Sequence, residues 1–101
     1  MKQMNINPGS GFHVIANGKS SQAATMILTP GSSTGGPGNR HANADQWLYV
    51  LSGNGEANID DKNIKLESGK LLLIESGETH EIKCSGEGNL VTLNFYSPQA
   101  Y

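Results

Sequence analysis

The residues of this chain best suited to chemistry fall in two stretches. The first, Gly35 to Gly53 (GGPGNRHANADQWLYVLSG), carries His41, Asn43, Asp45 and Gln46 through a glycine-rich loop to the start of an apolar strand. The second, Gly69 to Cys84, adds His80. Asn43 and Gln46 beside two neutral imidazoles make an amide-lined mouth able to hydrogen-bond a sugar or another small polar metabolite. Arg40, Asn43 and Asp45 are the candidate substrate contacts. Arg40 would meet an anionic group at the rim or stand solvated in the loop. No Gly-Lys-Ser/Thr follows the glycines and no helical pattern opens after them, so a phosphate-cradling loop is excluded.

The elements that must position these groups are short strands. Phe12 to Ala16 lies between Pro8-Gly9-Ser10-Gly11 and Asn17-Gly18; Gln22 to Leu28 follows and ends at Thr29-Pro30-Gly31. Residues 30–39 hold most of the local glycine and proline; regular structure stops there, and the stretch reads as an ordered or semi-ordered lip of the barrel, with a low-complexity linker as the alternative. In the strand Gln46 to Ser52, Gln46, Leu48 and Val50 share one face while Trp47, Tyr49 and Leu51 share the other. Turns at Gly53-Asn54-Gly55, Asp60-Asp61, Ser68-Gly69, Ser76-Gly77 and Ser85 to Asn89 then separate strands at Glu56 to Ile59, Lys62 to Leu66, Leu71 to Glu75, His80 to Cys84 and Leu90 to Tyr96. No window carries apolar residues at helical spacing behind a cap. The expectation is therefore all-β, a sandwich or barrel-like jelly roll in one domain over residues 1–101.

Composition narrows the partners. A net charge of -2, with no basic patch and no basic amphipathic helix, argues against nucleic acid and membrane surfaces. The longest apolar runs are strand-sized, and the N-terminus lacks the apolar core of a secretory signal, which makes the cytoplasm the expected compartment. The single cysteine, Cys84, reads as a small buried hydrophobe. Trp47, Tyr49 and Leu51, facing outward, call for cover by a second copy, or by the N-terminal strand or the C-terminal tail folded over them.

The two stretches resemble the paired motifs of the cupin superfamily, small jelly-roll barrels also described as double-stranded β-helices. The first family motif is Gly, five residues, His-x-His, three or four residues, Glu, six residues, Gly. Gly35, His41 and Gly53 match it over residues 35–53, with Asn43 in the second His place and Gln46 in the Glu place after a gap one residue short. In the second motif, over residues 69–84, Gly69, Gly77 and His80 keep their spacing, while Glu75 replaces a proline and Cys84 an asparagine.

The resemblance implies a divalent transition metal, iron, manganese, nickel or zinc, held in the lumen by His41, His80 and Gln46. Replacing the carboxylate and one imidazole by amides implies a weaker site than the family's own. Asp45 is the alternative third ligand: two histidines and a carboxylate would form a facial triad, although strand alternation turns Asp45 outward. The resemblance also favours a homodimer. Two functions follow: a metal-dependent oxygenase or isomerase acting on a small polar molecule, and a metal-free binder of a sugar-like ligand.

Overall fold

The structure is a computed structural model that describes residues 1–35 and 41–101 in full. It is all-β: among the described residues there are nine strands and no helix. In chain order they are β1 (Gly11–Asn17), β2 (Gln22–Leu28), β3 (Ser33–Arg40), β4 (Asp45–Ser52), β5 (Asn54–Ile59), β6 (Lys62–Glu67), β7 (Leu71–Ile74), β8 (Thr79–Cys84) and β9 (Leu90–Ser97). They form two antiparallel layers, a five-stranded sheet in the order β1-β2-β9-β4-β7 and a four-stranded sheet in the order β3-β8-β5-β6.

One expectation is corrected. The lip is in large part a strand, because Ser33, Thr34 and Gly35 pair with Lys83, Ile82 and Glu81 of β8. Pairing along the edge of β8 supplies the backbone hydrogen bonds that glycine and proline composition alone does not suggest, and an edge position is where a strand accommodates such residues.

Alternation decides which side chains enter the interior. Leu48 and Val50 of β4, Met26 and Leu28 of β2, and Leu90 of β9 meet Ala57, Ile59, Leu66, Ile82 and Cys84 of the opposite sheet in one buried cluster. Each large aliphatic side chain so buried contributes roughly 1.5–3 kcal/mol. The inner face of the five-stranded sheet is graded along its length. Leu28 pairs with Leu90, and Met26, Thr92 and Val50 form the next row across β2, β9 and β4. Ala24, Asn94 and Leu48 follow, and then Gln22, Tyr96 and Gln46. The barrel thus has a dry end and a polar end.

The turn from β4 to β5 depends on a glycine. Gly53 has φ +92°, and a Cβ there would collide with the Asn89 carbonyl oxygen. Only a residue without a side chain lets β4 leave its sheet at that point. Among the described residues no helix is long and apolar enough to cross a membrane.

Candidate functional site

The polar end of the barrel gathers its groups from both layers. Gln46 enters from β4 and His80 from β8, each only 4% exposed, whereas His41 stands in the connection between β3 and β4 and is half-buried. The two imidazoles lie side by side with ring centroids 5.0 Å apart. Two hydrogen bonds explain how segments so distant in sequence hold this geometry. The Gly77 amide, in the turn before β8, donates to the His41 carbonyl at 2.8 Å, and the neighbouring Ser76 amide donates to Asp45 Oδ1 at 2.9 Å. Immediately before His80, Thr79 donates through both its amide and its hydroxyl to Asp60 Oδ1, at 2.8 and 3.0 Å.

Gln46 is oriented by a short polar chain. Its Nε2 donates to Asn94 Oδ1 at 3.1 Å, and Asn94 Nδ2 donates in turn to Thr92 Oγ1 at 3.0 Å. With the amide nitrogen so engaged, the buried Oε1 of Gln46 has no hydrogen-bond partner among the described residues. An acceptor withdrawn from water in this way is costly unless something meets it. Gln46 and His80 line a cavity of about 20 Å³ together with Phe12, Tyr96 and Tyr101. That volume holds one water or one ion. Outside it, His41, Asn43 and Gln99 border a recess of about 250 Å³.

Burial holds both imidazoles below the ordinary histidine pKa. A protonated His80 would depress His41 further, while a hydrogen bond with the Glu78 backbone partly offsets the effect at His80. Both rings are therefore neutral near pH 7 and carry nitrogen lone pairs. Burial likewise pushes the Tyr96 and Tyr101 phenols up, so they remain protonated.

His41, Gln46 and His80 are thus brought together at one end of the barrel. Asn43 is exposed on the rim recess. The Asp45 carboxylate is engaged with the Ser76 amide and fastens the turn that presents His80. Arg40 lies outside the fully described residues. Among the described residues, no three His, Cys, Asp or Glu side chains are grouped to hold a metal, so a third donor beside the two imidazoles would have to come from another residue type, such as the Gln46 amide. The donor set fits a divalent ion in a particular way: two neutral nitrogens, one orphaned carbonyl oxygen and no anion.

Tyr96, Tyr101, Asn94 and Gln22 were not singled out by sequence reasoning. For Asn94 and Tyr96 a signal existed: in β9 the face shared with Leu90 continues as Thr92, Asn94 and Tyr96, a polar series on a face that the core requires to be buried.

A family model described as the cupin domain matches residues 24–96. The chain is a cupin. Its relatives include the oxalate-binding protein of Thermotoga maritima, 33% identical over 67 residues, which are 66% of this cupin and 54% of that protein. The chain therefore spans about half the length of this curated relative. Among solved structures, a predicted oxalate decarboxylase from Thermotoga maritima is 29% identical, with a TM-score of 0.71 over 77% of this cupin and 66% of that chain. KdgF from Halomonas sp. superposes with a TM-score of 0.78 at 20% identity, covering 87% of this cupin and 77% of that chain. A cupin protein from Bacteroides fragilis gives 0.81 at 19% identity, over 97% and 86%. The last two likenesses concern the fold alone.

Proposed function

We propose that this cupin binds a divalent transition metal through His41, His80 and Gln46 and, with it, a small polar molecule of the carboxylate class in the rim recess. The observation that carries the reading is the buried Oε1 of Gln46, which has no hydrogen-bond partner among the described residues, is aimed by Asn94 and Thr92 and shares a cavity of about 20 Å³ with His80. The names of the two Thermotoga maritima relatives, both referring to oxalate, support a small dicarboxylate as the first ligand to try. A bound metal would act as a Lewis acid, polarising an oxygen of that ligand. The protein's own part is to keep two imidazoles neutral by burial, to exclude bulk water from the inner cavity and to offer Asn43 and Gln99 as hydrogen-bonding groups at the rim.

The test is a thermal unfolding series on metal-stripped protein, with manganese, zinc, nickel and anaerobic ferrous iron added in turn, then oxalate. A ligand at 100 times its dissociation constant adds about 2.7 kcal/mol. In a chain of this size that corresponds to a rise on the order of ten degrees. The rise is expected with metal and absent in His80→Ala. A rise with oxalate alone, and with no metal, would replace this reading by a metal-free binding barrel.

We infer in addition that a second copy of the chain covers the outer face of the five-stranded sheet. Two rows of three apolar side chains cross it, Phe95-Trp47-Leu73 and Leu93-Tyr49-Leu71, in cross-strand register. Five of the six are exposed, Leu71 to 56%, and none of them carries a charge. A surface of this kind suits a copy of itself better than a charged partner.

A further inference from the structure

Gln22 opens β2 at 2% exposure, and its whole side-chain amide is engaged. Oε1 accepts from the amides of Ala100 and Tyr101 at 3.2 and 3.0 Å; Nε2 donates to the Tyr101 carbonyl at 2.7 Å and to Asn17 Oδ1 at 2.8 Å. Gln99 Nε2 adds a bond to the Gly18 carbonyl at 2.6 Å. The segment after β9 is thereby folded across the polar end of the barrel, away from the apolar outer face.

What this clamp delivers is Tyr101. Its ring lies 4.7 Å from Phe12 and edge-on at 5.2 Å from both Tyr96 and His41. Its hydroxyl oxygen stands 3.3 Å from His41 Nε2. Although the residue is 60% exposed, it lines the same inner cavity as His80 and Gln46. The separation is long for a hydrogen bond between these atoms. The same separation also suits another relation: two donors bound to one ion at about 2.0–2.1 Å with a tetrahedral angle lie roughly 3.3 Å apart.

The geometry points to Tyr101 as a fourth metal donor of this site, placed by Gln22 from the same inner row of the sheet. The assignment rests on the metal-binding reading above and adds an oxygen donor to His41, His80 and Gln46. On coordination a metal–oxygen bond forms, and the hydroxyl proton leaves to water. Phe12 and Tyr96 hold the ring, and Gln22 acts as a positioning residue through the backbone of residues 100 and 101.

Ferric iron is the probe, since its bond to a phenolate oxygen absorbs visible light, and zinc calorimetry gives the affinity. Wild-type protein is expected to show a visible band with ferric iron, and Tyr101→Phe to lose that band while weakening zinc about tenfold or more. Gln22→Leu, checked for folding by its unfolding temperature, should lose most of the band through release of the segment. His80→Ala should bind neither metal. Zinc bound equally by the wild type and Tyr101→Phe, or a band that survives in Tyr101→Phe, overturns the assignment and leaves the metal site standing. A full band in Gln22→Leu overturns the positioning role. No metal bound by the wild type overturns both readings.

Discussion

The two lumen histidines tie stability to pH with a definite sign. Both have folded-state pKa values below the unfolded one, chiefly through burial. Above the unfolded value of about 6.5 both states are neutral at these positions, and the histidines add no pH dependence. Below it the unfolded chain takes up protons that the folded chain refuses, so stability falls as pH falls. A series of urea unfolding curves should show a midpoint insensitive to these groups from pH 8 to 7 and dropping below pH 6.5, with a shallower drop when His41 and His80 are both replaced. Metal affinity should decline over the same interval, because each proton occupies a lone pair. Asn94 affords a second test. Asn94→Leu deprives the Gln46 amide of its acceptor and Thr92 of its donor, and should cost about 1–3 kcal/mol in urea unfolding. The candidate histidines were legible because their types and spacing survive in a linear motif. Tyr101 was not, since its proximity to His41 arises from hydrogen bonds to a glutamine on another strand.

At the scale of the element, strand alternation was the most readable signal. Gln46, Leu48 and Val50 are buried and Trp47, Tyr49 and Leu51 exposed, as the period of two requires. The strand β3 was hidden because its pairing with β8 is a long-range fact, and local glycine and proline argue against it. Glycines at turns differ in a way that sequence does not reveal. Gly53 and Gly69 both have positive φ, +92° and +91°, yet an added Cβ meets the Asn89 backbone at the first and open space at the second. Gly69→Ala should therefore cost only the conformational penalty of about 1–2 kcal/mol. Gly53→Ala should cost clearly more, and comparison of the two unfolding midpoints in urea would reveal a backbone collision as their difference.

For the whole molecule, the grading of the inner face separates two demands. The dry rows around Met26, Val50 and Leu90 hold the layers together, while Gln22, Tyr96 and Gln46 make one end polar. The outer face supplies the remaining test: light scattering should report a dimer for the wild type and a monomer for Tyr49→Glu, whose charge would sit in the middle of the second apolar row. The place of β9 has a consequence for biosynthesis. Of the nine described strands it is the last to be synthesised, and it lies between β2 and β4, the one described strand that pairs with both halves of the sheet. On the ribosome, β4 and β7 must wait for residues 90–97 before they join β2, with Trp47 and Tyr49 already made. The sheet and the site, which takes Asn94 and Tyr96 from that strand, are then completed in one late event, and the interval before it is when a chaperone would have the most apolar surface to hold.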